Sequence, residues 1–207
     1  NGSLVDISAT KIRIILASLL LRAGRVVPVS VLVDRLWDHD PPADARAALQ
    51  TYITRLRRLL GPEGAIHNRS GGYLIETPPG SCDLREFDDL LEAARVALGR
   101  DDRAGALDSL RAATALWRGP ILFDVESVPL HRDEVPRLQE RYLEAAERRF
   151  ALELALGHHR RVVEELRALA AAYPFQEGLR THLMRALYRS GRQAEALEVY
   201  RQARQVF

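Results

Sequence analysis

The sequence predicts a mainly α-helical protein, with a winged helix-turn-helix over residues 1–79 and an all-α, tetratricopeptide-like array over residues 80–207. Three observations carry this expectation. Apolar residues recur at helical spacing in three blocks before residue 61. A glycine-tipped β pattern follows them. From residue 82 onward, alanine-rich helical segments resemble one another. Hydrophobic residues make up 47% of the chain and charged residues 28%, enough apolar surface to build cores and too much for a disordered chain.

The first helix is expected over about Ala9 to Ala23, where Ile12, Ile15, Leu16, Leu19 and Leu20 share a face, and Gly24 stops it. After the β-branched pair Val26 and Val27, a short helix from Val29 to Trp37 turns Leu32, Val33 and Leu36 inward. The stretch DHDPPAD breaks it. A longer third helix, about Ala43 to Leu60, ends before Gly61 and Pro62. In AIHNRSGGYLIET, Ala65 to Thr77, β-formers flank Ser70, Gly71 and Gly72, the signature of a hairpin with a glycine tip. Three helices followed by a β-ribbon is the layout in which the third helix enters the DNA major groove.

The third helix separates cleanly by wheel position. Leu49, Tyr52, Ile53, Leu56, Leu59 and Leu60 fall in one arc, and Gln50, Thr51, Thr54, Arg55, Arg57 and Arg58 fall in the other. A face that needs only solvation mixes acids with bases at i, i+4, yet no carboxylate stands between Ala45 and Pro62. From Arg46 to Arg69 five arginines oppose the single Glu63, a local charge of +4 in a chain whose net charge is only +2. Arginine bonds guanine bidentately, glutamine bonds adenine, and threonine reaches a phosphate or a thymine methyl. Arg69, beside the glycine tip, suits a phosphate or minor-groove contact.

Other functions find little support. GPEGA lacks the lysine and the serine or threonine of a phosphate loop. His158 and His159 are adjacent, point about 100° apart on a helix, and read as loop or surface residues rather than metal ligands. Cys82 is the only cysteine, which excludes an internal disulfide and reads as a small hydrophobic filler. No carboxylate pair suggests acid–base catalysis, so neither a catalytic residue, a metal nor a cofactor is expected. Arg22 and Arg25 interrupt the best apolar run, and Asn1 to Ile7 lacks a signal-peptide start, which points to the cytoplasm and away from the membrane.

The second half carries the repeats. Ala186 to Ala203 places Tyr188, Gly191, Ala196, Tyr200 and Ala203 at tetratricopeptide offsets. Leu154 to Pro174 repeats the pattern loosely, with Gly157 between helices, and Leu98 to Trp117 is a degenerate copy. Tyr188, Tyr200, Trp117 and Phe175 are expected to fill the repeat core, the usual place of large aromatics.

RLRRLLG followed by RSGGYLI resembles the DNA-binding domain of OmpR-type response regulators. VDRLWDHDPPADARAALQTYITRLRRLLG, CDLREFDDLL and ALWRGP together are similar to the Streptomyces antibiotic regulatory proteins, a family of transcriptional activators. The resemblance implies a sequence-specific activator of secondary-metabolite genes that binds direct repeats in double-stranded promoter DNA as a homodimer or multimer and recruits RNA polymerase holoenzyme. It assigns the groove-facing surface to Gln50, Thr51, Thr54, Arg55, Arg57 and Arg58, and the wing to Arg69 and Tyr73. It places Trp37, Asp38, His39 and Asp40 at the turn facing the polymerase, and residues 80–207 in a bacterial transcriptional activation domain. Pro28 departs from the family's serine or threonine cap, leaving the second helix start open by a residue or two, and Asn1 to Ile7 matches only the last strand of the family's N-terminal sheet. The alternative is an interaction adaptor that ignores DNA, or a regulatory fragment of a larger multidomain regulator.

Overall fold

The apolar periods of the first 60 residues become helices in the computed structural model, which describes residues 9–61 and 65–206. The strand expected over Asn1 to Ile7 lies outside the described residues. α1 (Thr10–Leu20) buries Ile12, Ile15 and Leu19, and after it Gly24 turns at φ 78° and donates its N–H to the Ile75 carbonyl at 2.9 Å. Val27 and Pro28 form a two-residue strand, β1 (Val27–Pro28). α2 (Val29–Trp37) begins directly after Pro28, whose φ of −60° and ψ of 147° hand an extended chain to the helix without a side-chain cap. The first helical N–H, on Val29, is satisfied by the Gly71 carbonyl at 3.0 Å. The missing serine or threonine is thus replaced in part by a backbone bond from the hairpin tip.

α3 (Ala45–Leu60) starts two residues later than its apolar period suggests, because Asp44 is the cap and accepts from the Ala47 N–H at 2.9 Å. β2 (Ile66–Arg69) and β3 (Gly72–Ile75) form the hairpin, with Arg69 opposite Gly72 and Gly71 at φ 79° in the turn. The three-stranded sheet has the order β1-β3-β2. At Gly72 a Cβ would collide with the Val27 carbonyl, so only glycine lets β1 lie so close.

Residues Asn1–Asp89 and Leu116–Glu140 group into one compact unit, and Leu90–Ala115 with Arg141–Phe207 into a second. The core of the first unit joins Ile15, Leu19, Leu32, Leu49, Ile53 and Leu56 to Val125 and Leu130 from beyond residue 115. Polar groups reinforce that addition. Ser127 Oγ donates to the Arg35 carbonyl at 2.6 Å, and the buried Arg35 guanidinium bonds the Glu134 carboxylate, with Arg22 Nη2 at 3.8 Å from the same carboxylate. Cys82 is buried as a small filler. Leu59, expected to face inward, is 41% exposed because it sits at the edge of the α3 apolar arc, whose centre is taken by Leu49, Ile53 and Leu56.

The remaining helices are α4 (Asp83–Gly99), α5 (Arg103–Ala115), α6 (Val128–Ala155), α7 (His159–Ala172), α8 (Glu177–Arg189) and α9 (Gln193–Val206). The second unit's core is mainly aliphatic around one buried ring, Phe150, with Val163, Leu166, Leu179, Leu183, Ala186 and Leu187 among others. Gly157 and Gly191 turn the chain between helices at φ 86° and 82°. Two expectations are corrected here. Tyr188, Tyr200 and Phe175 do not fill the core; they are 64%, 50% and 76% exposed. Tyr188 follows Leu187 in the helix, so it points about 100° away from the buried stripe of Leu179, Leu183 and Leu187. Trp117 belongs to the first unit, where its ring meets Phe87 edge-on at 5.3 Å. His158 lies in the loop between α6 and α7, as expected, and its Nδ1 lies 2.7 Å from Glu153 Oε2, while Arg111 grips the same buried carboxylate at 2.8 and 2.9 Å. Burial alone would raise the Glu153 pKa, but the bonds from Arg111 and His158 outweigh it and hold the carboxyl below its ordinary value.

Candidate nucleic-acid interface

α3 is fixed from one side and open on the other. Leu49, Ile53 and Leu56 are buried, whereas Gln50, Thr51, Thr54, Arg55, Arg57 and Arg58 are all exposed on one continuous face. Arg46 is exposed too and lies within about 20° of Arg57 on the wheel. Sequence reasoning counted its charge and left it off the face; its spacing from Gln50, i to i+4, was the available signal.

The side chains on this face are not equivalent. Thr51 Oγ1 donates to the Ala47 carbonyl at 3.1 Å and Thr54 Oγ1 to the Gln50 carbonyl at 2.9 Å. Both hydroxyl protons are thereby engaged by the helix, leaving each oxygen as an acceptor and each methyl group outward. Arg57 donates through Nε and Nη2 to the Ile66 carbonyl, at 3.0 and 2.8 Å. Its guanidinium thus ties α3 to the first residue of the hairpin, and two of its five donors are spent within the domain. Arg55 and Arg58 stand exposed beside it.

In the wing, Arg69 is exposed, and among the described residues its one hydrogen bond is a long 3.4 Å contact from Nη1 to the Asn68 carbonyl. Tyr73 corrects the family-based assignment. Alternation along β3 turns Tyr73 and Ile75 into the core, and Tyr73 is 5% exposed, so its ring is spent mainly on packing. At the α2–α3 turn, Trp37 is half-buried, 6.3 Å from the Tyr52 ring and under the Lys11 ammonium at 5.4 Å. Lys11 Nζ also bonds the Leu36 carbonyl. Trp37 therefore braces the turn, Asp38 takes a left-handed φ of 52°, and His39 and Asp40 are left exposed.

Residues 82–207 match the family described as Bacterial transcriptional activator domain, and residues 2–75 match Transcriptional regulatory protein, C terminal. Regulatory protein DnrI of Streptomyces peucetius is 40% identical over 97% of this chain and 77% of its own length. The chain belongs to the Streptomyces antibiotic regulatory protein family. Regulatory protein AfsR of Streptomyces coelicolor is 42% identical over the whole chain, which spans only 21% of that relative's length. The solved structure of Mycobacterium tuberculosis EmbR in complex with a low-affinity phosphopeptide superposes with a TM-score of 0.89 at 33% identity, covering 98% of this chain and 55% of EmbR. The winged helix followed by a helical domain is thus the architecture this chain has in common with a member already solved. Among the described residues, no helix is long and apolar enough to cross a membrane.

Proposed function

We propose that this chain is the DNA-binding and activating part of a cytoplasmic transcriptional activator of antibiotic-biosynthesis genes, with residues 1–79 binding promoter DNA and residues 80–207 supporting activation. The observation that carries the reading is the exposed, acid-free face of α3, fixed in the domain by Leu49, Ile53 and Leu56. Arg55, Arg58, Gln50, Thr51 and Thr54 read and anchor the major groove, Arg46 adds a phosphate contact, and Arg69 holds the flank. Arg57 sets the angle between recognition helix and wing, and its remaining N–H groups face the backbone phosphates. Two or more protomers on direct repeats then present the turn at His39 and Asp40 to RNA polymerase holoenzyme.

Selection of bound DNA from a random pool tests the reading and returns the operator together. A repeated motif is expected, with affinity for it falling steeply as salt rises, because each neutralised phosphate releases counterion. Recovery of no motif, or affinity insensitive to salt, would overturn the proposal.

A further inference from the structure

Four arginines of the first unit line one cleft of about 460 Å³: Arg22 just beyond α1, Arg35 on α2, and Arg132 and Arg137 on α6. Arg35 is the unusual one. Its side chain is only 3% exposed, and while Nη2 bonds the Glu134 carboxylate, Nε and Nη1 have no hydrogen-bond partner among the described residues. A guanidinium carries five N–H donors, more than one carboxylate oxygen answers, and a buried cation is costly until its donors are satisfied. Three carboxylates share the cleft, and two of them are already engaged. Glu134 is held by Arg35, with Arg22 3.8 Å away, and Asp133 accepts from Arg132 Nε at 2.9 Å. That bond holds the Asp133 carboxyl below its ordinary pKa, and the charges of Arg35 and Arg137 act in the same direction, so three guanidiniums bear on one locus. Arg137 is exposed and makes no hydrogen bond or ion pair among the described residues, which leaves Asp34 as the one carboxylate of the cleft to oppose it.

We infer that this cleft binds a small phosphorylated molecule through its oxyanion. Arginines arriving from three elements address oxygens in several directions, which a tetrahedral phosphate offers and a single planar carboxylate does not. Arg132 and Arg137 meet the anion from α6 and Arg22 from the end of α1, while Arg35, held by Glu134, supplies a fixed positive charge in the wall. The cleft is larger than one phosphate, and Val31 and Pro136 add an apolar wall, so the ligand carries an organic body or a second phosphate beside the first. The inference is independent of the DNA reading, since no residue of the cleft belongs to α3 or the wing.

The test is isothermal titration of the whole chain with inorganic pyrophosphate, and with malonate as the planar dicarboxylate for comparison. Pyrophosphate is expected to saturate a site with a Kd of about 1 mM or tighter, and malonate to bind at least about tenfold more weakly. Arg137→Glu is expected to weaken pyrophosphate about tenfold or more, and Asp34→Asn to tighten it about two- to threefold. Arg137 is exposed, so its replacement leaves the melting temperature unchanged, and a gain of affinity in Asp34→Asn cannot come from loss of the fold. Arg58→Ala on the α3 face is expected to leave this binding unchanged, which separates the cleft from any phosphate contact of the DNA-reading surface. No saturable heat by about 10 mM pyrophosphate overturns the proposal. So does equal binding of malonate, or binding that responds to Arg58→Ala and not to Arg137→Glu or Asp34→Asn.

Discussion

Replacing Glu134 with alanine leaves a buried cation without its counter-charge. The side chain of Arg35 is 3% exposed and that of Glu134 12%, and Arg35 Nε and Nη1 meet no other acceptor among the described residues. Removing one partner of a buried pair typically costs 3–5 kcal/mol, mostly from the uncompensated charge that remains. Because Glu134 keeps some solvent, the lower end applies, about 3 kcal/mol, or a shift of roughly two orders of magnitude in the folding equilibrium. Both tryptophans, Trp37 and Trp117, lie in the first unit, so urea unfolding followed by tryptophan emission reports that unit selectively. The double replacement Arg35→Met with Glu134→Leu removes charge from both sides and is expected to return to within about 1 kcal/mol of the parent. A loss below about 1 kcal/mol for Glu134→Ala, or a double variant no more stable than the single one, would refute the buried-pair argument.

Neighbouring arginines on α3 should behave differently. Arg58→Ala is expected to leave the melting temperature unchanged while lowering operator affinity and flattening the salt slope by about one. Arg57→Ala loses both bonds to the Ile66 carbonyl and should also cost about 1 kcal/mol of stability, seen in thermal denaturation with no DNA present. Gly72→Ala forces a Cβ against the Val27 carbonyl, and a loss of about 1–3 kcal/mol is expected in the same melt. The second unit should weaken in acid. Burial, aided by Arg185, holds the His182 imidazole below its ordinary pKa, so the unfolded chain takes up the proton first and stability falls as pH drops through the ordinary imidazole value. Glu153, held low, adds stability that persists above the ordinary carboxylate value and is lost only as pH falls further, through its folded pKa. Helical ellipticity should therefore melt at a lower temperature near pH 5.5 than near pH 7.5 (approximate values), with a smaller difference in His182→Gln; identical melts would exclude the His182 contribution.

Elements set by local rules were readable from the chain. The periods that bury Leu32, Leu36, Leu49, Ile53 and Leu56 are intrinsic to α2 and α3, and Gly71 declares the turn wherever the hairpin packs. The acid-free face of α3 was equally legible, since a helix wheel needs no partner to be drawn. What stayed hidden depends on distant residues. Nothing within HNRSGGY reveals that Ile66 presents its carbonyl to Arg57, or that the Tyr73 ring turns inward. The aromatics misled because a repeat pattern assigns positions by spacing, while Leu183, Ala186 and Leu187 already occupy the interior that Tyr188 was expected to share. The bond between Arg35 and Glu134 spans 99 positions, beyond any local period.

That span has a consequence for biosynthesis. A ribosome releases residues in order, so the recognition helix and its wing emerge long before Val125, Ser127, Leu130 and Glu134 reach them. Until then the nascent winged helix exposes the apolar flank that Val125 and Leu130 later cover, and Arg35 remains solvated rather than locked. Closure waits for a loop through α4 and α5, and the ordering entropy of that loop falls on the last step rather than the first. The first unit therefore completes its core only after residue 134 has been made, well after α3 and the hairpin.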